Sequence, residues 1–355
     1  MKFVKRLTAV FCALVFSTLF ASCEKTYASA DLYYFNTEIH LQVEDSGFSQ
    51  TTLDRVENRL NALHNLYRLS SENSFTSQFN ALKGGKSIAA PSHVINLLEK
   101  CKEYYFFTQG KFNPAVYPLV KLWQFAPNYP VANFAPPSQY DCEQIIYSEV
   151  TDFDNGIIID GSTITKPLSG TMIDLGGIVK GIAADEIGKM LKDAGHTEGY
   201  VNVGGSSLYI LQTQSLGVTH PRKNGQLLQV NGPIIDQSVS TSGDYQKYYE
   251  FEGVRYSHLI SGYDGLSAHT GVQSATLICP DGTFADALST ALCLCQFDGT
   301  DNSELVLLMK KILEKFPTSS IYVAVEIDGV KTLVTNEKKG EDFTLLDNQY
   351  QVFKI

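Results

Sequence analysis

One stretch constrains this chain more than any other: T-M-I-D-L-G-G-I-V-K-G-I-A-A-D, Thr171 to Asp185. Met172 and Ile173 predict an extended entry, Gly176 and Gly177 a bend, and the residues after them a helix with Lys180 in its first turn. Ile178, Ile182, Ile187, Met190 and Leu191 form a buried stripe that carries the helix to about Ala194, where Gly195 stops it. A glycine pair at such a junction lets backbone N–H groups approach a ligand closely. The helix start supplies unpaired donors and a positive dipole end, suited to phosphate. Lys180 would add a point charge, and Asp174 a carboxylate for a hydroxyl, an amide or a metal shell. The stretch reads as a diphosphate-handling turn or as an ordinary strand–turn–helix. It is neither G-x-G-x-x-G nor a P-loop, so the common nucleotide folds gain nothing from it.

The chain has 355 residues, 44% hydrophobic and 19% charged, enough for one large domain or two intimate ones. Its net charge of −10 offers no basic face, which argues against nucleic acid as a partner. Residues 1–22 stand apart. Lys2, Lys5 and Arg6 precede an apolar run from Leu7 to Phe20, then Ala21-Ser22-Cys23. This reads as an export signal, too short to span a membrane. The small residues before Cys23 resemble a bacterial lipobox, with Phe20 where Leu is usual. Processing would leave Cys23 as a lipidated N-terminus anchored to a bacterial membrane on its periplasmic or extracytoplasmic face. Residues 23–30 would be a tether and 31–355 the folded domain. Removing residues 1–22 takes the net charge to −13. Cys101, Cys142, Cys279, Cys293 and Cys295 show no C-x-x-C spacing, so neither a zinc site nor a disulfide framework is indicated.

Along the chain, Leu32–Val43 is strand-like, Leu53–Leu69 has helical spacing, and Ser92 would cap a second helix through Val94, Leu97, Leu98 and Cys101, with Gly110 at its end. Gly110–Phe125, G-K-F-N-P-A-V-Y-P-L-V-K-L-W-Q-F, cannot be a continuous helix because of Pro114 and Pro118. Its aromatics either line a site for a flat ring or pack a loop onto the core. Tyr200–Gly205 is a strand ending in a glycine pair. Ser238–Tyr245 offers three hydroxyls around a turn, and Val254–Ile260 is a strand carrying His258. A helix from about Phe284 puts Asp286 and Thr290 on one face. Those two oxygens fit a hard cation such as magnesium, or equally a dipole-favoured Asp and a back-bonded Thr.

Taken together the segments resemble the ApbE family of FAD:protein FMN transferases. The resemblance spans roughly Leu32 to Ile327. It rests on the Gly110 segment, D-L-G-G-I-V-K-G at Asp174, V-N-V-G-G at Val201, S-T-S-G-D-Y at Ser240, Y-S-H-L-I at Tyr256 and A-D-A-L-S-T-A-L at Ala285. It implies an α+β, T-fold-like architecture of mixed, mainly antiparallel sheets flanked by helices, with FAD between two closely joined lobes. It implies Mg2+ as cofactor and FAD as substrate, with FMN passed to a Ser or Thr hydroxyl of an exported acceptor flavoprotein subunit and AMP released.

The resemblance also implies roles. Asp174 and Lys180 would contact FAD, as would Lys111, Phe112, Asn113 and Ile260. The Gly177 carbonyl, Asp286 and Thr290 would bind magnesium. His258 or Asp174 would be the catalytic base. Three features depart from the family pattern. H-L-I-S-G-Y-D-G has Ser261, Gly262 and Asp264 where Asp, Pro and Thr are usual. Asn113 replaces an Asp, and Phe35-Asn36-Thr37 stands for Met-Gly-Thr. An FAD pyrophosphatase yielding FMN and AMP, or a lipid-anchored flavin-binding protein without turnover, are the alternatives.

Overall fold

The computed structural model describes residues 26–44, 47–127, 134–148 and 152–355. In chain order the first elements are β1 (Tyr27–Tyr34), β2 (Thr37–Glu44), α1 (Gln50–Tyr67), α2 (Phe75–Ala81), β3 (Lys86–Ala89), α3 (Ser92–Phe107), α4 (Tyr117–Leu122), α5 (Gln139–Ser148) and α6 (Phe153–Gly156). There follow β4 (Ile158–Asp160), β5 (Thr163–Lys166), α7 (Gly176–Asp193), β6 (Gly199–Val203), β7 (Ser207–Thr219), β8 (Gln226–Gly243), β9 (Tyr248–Phe251) and β10 (Val254–Ser257). The chain ends with β11 (Val272–Cys279), α8 (Gly282–Cys293), α9 (Glu304–Lys315), β12 (Ser320–Ile327), β13 (Val330–Thr335), β14 (Phe343–Leu345) and β15 (Gln351–Lys354).

A ten-stranded sheet organises these elements, in the order β1-β2-β6-β7-β8-β11-β12-β13-β15, with β14 against the first half of β8. Every pairing in it is antiparallel except β13 with β15. Alternation along its central strands sorts side chains to two faces. Ala275, Leu277 and Cys279 of β11, with Ile321, Val323 and Val325 of β12, join the main core under α7 and α8. Ile278, Tyr322 and Ala324 belong to a second core on the opposite face, with Val239, Leu333 and Phe343. A third, smaller core gathers Leu119, Trp123, Phe125, Cys142 and Ile260, and the Trp123 indole N–H donates to the Gly265 carbonyl at 2.7 Å. This aromatic lobe abuts the helical layer. The α+β, mainly antiparallel expectation holds. Among the described residues no helix is long and apolar enough to cross a membrane.

Two sequence expectations are corrected. The tether assigned to residues 23–30 overlaps β1, which starts at Tyr27 and pairs with β2 from its first residue. Cys23 and the signal lie outside the described residues. The hydroxyls of Ser238, Ser240 and Ser242 do not surround a turn. They alternate along β8, which runs on between β7 and β11 to Gly243, and face the helices while Val239 faces away. The period-2 pattern was present, but the turn-forming Ser and Gly composition masked it.

Helices α7 and α8 cross at van der Waals limit. A Cβ on Gly181 would stand 2.0 Å from the Gly282 carbonyl oxygen; further along α7, where it packs on β7, one on Gly188 would stand 2.1 Å from the Tyr209 ring. Each helix also lends the other a carboxylate. Asp286 Oδ2 accepts from the Gly181 N–H and Asp185 Oδ2 from the Gly282 N–H, both at 2.9 Å, while Asp185 Oδ1 takes the Ser238 hydroxyl. The Asp185 bond satisfies one of the orphan donors at the start of α8, beside the Asp281 side chain that caps the Phe284 N–H. Gly181→Ala forces these helices apart. Denaturant unfolding should show a loss of about 3 kcal/mol, as overpacking against backbone costs; a change within about 0.5 kcal/mol, the range of a neutral surface substitution, would contradict the crossing.

Candidate active site

The bend at Gly176 is built by Asp174. Its backbone N–H donates to the Pro114 carbonyl at 2.8 Å, tying the extended entry to the Gly110 segment. Its Oδ1 accepts from the Gly176 N–H at 2.7 Å, and so turns the chain into α7. Burial raises the Asp174 pKa, opposed by that N–H bond and by the Lys180 and Lys247 ammonium groups. One turn on, Lys180 Nζ sits 3.1 Å from the Gly176 carbonyl and 3.6 Å from Asp286 Oδ1.

Asp286 is nearly fully buried. Beyond its Gly181 contact, Oδ1 lies 3.3 Å from the Ser207 hydroxyl. Thr290 Oγ1 lies 3.1 Å from Ser242 Oγ and 3.8 Å from where a Gly177 Cβ would stand, so α8 presents it to the glycine bend. The Gly177 carbonyl, the Asp286 carboxylate and the Thr290 hydroxyl are all oxygen donors, the set a hard cation prefers. Among the described residues no group of three or more His, Cys, Asp or Glu is placed to hold a metal ion. One carboxylate suits a magnesium ion that arrives with phosphate oxygens, since Mg2+ usually takes one or two carboxylates plus substrate phosphates.

His258 lies one residue beyond β10. Its Nδ1 is 3.1 Å from the Lys247 carbonyl, which also accepts the His258 backbone N–H at 3.0 Å. A carbonyl only accepts, so Nδ1 carries the proton and Nε2 keeps its lone pair. Burial lowers the His258 pKa from 6.5 to about 4; the Lys247 carbonyl bond opposes this, while the Lys247 and Lys180 charges add to it. The ring is therefore neutral at neutral pH, with one nitrogen ready to take a proton.

Ten residues singled out in the sequence line one cavity of about 440 Å³: Lys111, Phe112, Asn113, Asp174, Gly177, Lys180, His258, Ile260, Asp286 and Thr290. The cavity lies where the aromatic lobe meets the α7–α8 layer. Phe112 and Ile260 supply apolar wall. Asn113 Oδ1 accepts the Ala115 N–H, and Lys111 Nζ reaches Glu304 at 2.9 Å. The altered turn after Ile260 satisfies itself: Ser261 Oγ accepts from the Tyr263 and Asp264 N–H groups, and Gly262 backs onto Asn113.

Sequence reasoning missed Lys247. It lines the cavity with Nζ 2.6 Å from the Phe125 carbonyl and 5.6 Å above the Phe125 ring. Burial lowers its pKa, and Asp174 opposes the shift. Its place two residues after S-T-S-G-D-Y was the available signal. The β1–β2 turn also reaches the cavity. Phe35 and Asn36 both hold positive φ, 54° and 59°, with His64 Nδ1 accepting the Phe35 N–H at 3.0 Å.

The sequence profile of the ApbE family matches residues 35–302. The chain belongs to the ApbE family. Among curated relatives, an FAD:protein FMN transferase of Vibrio cholerae is 28% identical over 295 residues, covering 79% of this chain and 85% of its own. One from Klebsiella pneumoniae is 27% identical over 240 residues, covering 67% and 73%. The fold is that of the ApbE protein from Thermotoga maritima, with TM-score 0.73, 24% identity and coverage of 84% and 94%. The flavin transferase ApbE from Vibrio cholerae aligns with TM-score 0.73 at 20% identity, covering 86% and 95%.

NMR titration of the His258 imidazole should place its pKa near 4 in the unliganded protein. The acid limb of kcat/KM would then lie well below 6.5, because a base must be neutral and activity falls only as pH drops through its pKa. A His258 titrating at 6.5 would contradict the half-buried, Nδ1-anchored ring.

Proposed function

We propose that this protein is a magnesium-dependent FAD:protein FMN transferase. FMN passes from FAD to a Ser or Thr hydroxyl of an acceptor flavoprotein, and AMP is released. The observation that carries the reading is the convergence, in one cavity, of an all-oxygen donor set, a lysine at a helix N-terminus and a neutral histidine with a free Nε2. The family membership and the names of the relatives support it.

The chain's own residues divide the work. Lys180, one turn into α7, offsets phosphate charge, and the N-terminal end of α7 adds its dipole. Gly177, Asp286 and Thr290 would hold Mg2+, which when bound supplies further neutralisation of the diphosphate. The aromatic lobe, with Phe112 and Ile260, gives the isoalloxazine an apolar wall. The acceptor hydroxyl attacks the FMN phosphorus, a new P–O bond forms, and the bond to the AMP oxygen breaks. His258 Nε2 takes the hydroxyl proton. Asp174, with its raised pKa, is the other group within the cavity able to do so. AMP leaves carrying the bridging oxygen.

The export signal and Cys23 motif complete the proposal: a lipid-anchored enzyme outside the cytoplasm of a bacterium, acting on exported acceptors. Incubation with FAD, Mg2+ and exported proteins of the same cell should yield a fluorescent, covalently labelled acceptor. Free FMN alone would assign the protein as a pyrophosphatase, and tight FAD binding without AMP would remove the enzyme reading.

Two variants test the roles. Asp286→Asn keeps a carbonyl for the Gly181 N–H but removes the charge. Mg2+-stimulated transfer should fall by at least about 100-fold with the fold retained, and unchanged stimulation would take Asp286 out of the metal shell. His258→Asn should lower kcat by about 10²- to 10⁴-fold, the usual worth of a general base; full activity would pass the role to Asp174.

A further inference from the structure

Four lysine and arginine side chains line the active-site cavity: Arg68, Lys111, Lys180 and Lys247. Two are matched by carboxylates. Lys111 Nζ lies 2.9 Å from Glu304, and Lys180 Nζ 3.6 Å from Asp286. Arg68, at the end of α1, gives its Nε–H to the Ser70 hydroxyl at 2.7 Å. Lys247 has no carboxylate within 4.0 Å among the described residues. An ammonium carries three N–H donors. The Phe125 carbonyl takes one of them at 2.6 Å, and the rest have no hydrogen-bond partner among the described residues.

The backbone decides where this ammonium stands. Lys247 closes the turn between β8 and β9. Two contacts pin that turn: the Asp244 N–H donates to the Gln273 carbonyl at 3.1 Å, and the Gln246 side chain to the Thr241 carbonyl at 2.9 Å. The β9–β10 pairing then sets Tyr248 opposite Ser257. One step further along the hairpin, the Lys247 carbonyl meets the backbone N–H and the ring Nδ1–H of His258. Phe125 touches both residues. Its carbonyl holds the ammonium, which stands 5.6 Å above its ring, and the His258 imidazole meets that ring edge-on with centroids 6.3 Å apart. One residue thus aims the histidine through its main chain and sets a positive charge beside it through its side chain. A cation next to a base weakens the base, because it opposes a second positive charge. The Lys247 charge does lower the His258 pKa. The pairing is productive once an anion joins the two groups.

We infer that the Lys247 ammonium binds the phosphoryl group of the FMN half of FAD, the group under attack, and stabilises the charge on its non-bridging oxygens during transfer. The inference rests on the flavin transferase reading, which supplies the anion. Its position in the cavity selects this phosphate. A base for the attacking hydroxyl has to stand beside the phosphorus that is attacked, and Lys247 is the cation joined to His258. Its other partner, Phe125, belongs to the aromatic lobe that faces the flavin ring. Lys180 belongs to the opposite layer, in the first turn of α7 beside Asp286. The diphosphate is therefore met by one lysine from each side. A loose phosphoryl transition state spreads charge over its equatorial oxygens, and a fixed cation aimed at them lowers its energy.

Equilibrium binding of FMN, riboflavin and AMP to the full protein tests the assignment, since FMN and riboflavin differ only in the phosphate. Lys247→Gln removes the charge, keeps an N–H for the Phe125 carbonyl and leaves the main-chain carbonyl that holds His258. It should weaken FMN binding about tenfold, the worth of one charge-assisted hydrogen bond, with riboflavin and AMP bound as by the wild type. Its kcat/KM for FAD should fall about 100-fold. Lys247→Arg keeps the charge and should recover most of both losses. Equal losses for FMN and riboflavin would make Lys247 a packing residue of the aromatic lobe and overturn the inference. A loss confined to AMP would put the ammonium on the other phosphate and overturn it too, as would wild-type FMN binding and turnover in Lys247→Gln. Each of these leaves the transferase reading standing where the wild-type enzyme labels an acceptor. Wild-type crystals grown with FMN decide the matter if the Gln variant unfolds. Lys247 Nζ should then lie within hydrogen-bond distance of a phosphate oxygen, and a phosphate without that contact would overturn the inference. A wild-type protein that binds neither FAD nor FMN would remove the reading and the inference together.

Discussion

The site depends on one mutual grip. Asp286 of α8 takes the Gly181 N–H of α7, and Asp185 of α7 takes the Gly282 N–H at the head of α8. Glycine at 181 and 282 brings the two backbones within reach of each other's carboxylates, which a side chain at either position would prevent. The same crossing sets the Asp286 and Thr290 face of α8 opposite the glycine bend that opens α7. Burying two carboxylates is costly unless each is hydrogen-bonded, and here each is bonded to a backbone donor of the other helix. The arrangement is at once a packing device and the frame of an oxygen-lined site.

The sheet explains why the grip can be rigid. Strand β11 runs under α8 with one face in the main core and the other in the second core, and β8 beside it gives Val239 to the second core. Ser238, Ser240 and Ser242 line the helix side of β8. Ser238 reaches Asp185, and Ser242 reaches Ser289 and Thr290. A hydroxyl ladder on a buried strand thus holds both partners of the crossing. The aromatic lobe around Trp123 closes the cavity from the other side, with Lys247 linking it to His258 through its carbonyl and to Phe125 through its ammonium.

Much of this was legible in the sequence, for physical reasons. The long helix with Lys180 near its start and the Asp286/Thr290 spacing are local, periodic signals, and the structure keeps them; the expected bend is corrected, since Gly176 and Gly177 are already the first residues of α7, and the extended entry makes only a single bridge, Met172 with Val116. What escaped is non-local. Residues Ser238–Gly243 have the composition of a turn, yet lie in a strand because β11 pairs with all six and β7 with the first three. The start of β1 at Tyr27 is likewise decided by β2, which pairs with it, and not by its own residues. Lys247 stands two residues after S-T-S-G-D-Y, but only the fold, which sets its carbonyl against His258 and its ammonium on Phe125, gives it meaning.

The central claim is that Gly177, Asp286 and Thr290 form one divalent-ion site that is completed by the diphosphate of FAD. Anomalous diffraction from crystals grown with FAD and Mn2+ in place of Mg2+ tests it most directly. The account predicts a single strong peak bounded by the Gly177 carbonyl, the Asp286 carboxylate, the Thr290 hydroxyl and phosphate oxygens. A manganese peak elsewhere in the cavity, with FAD bound and these three residues without metal, would contradict it.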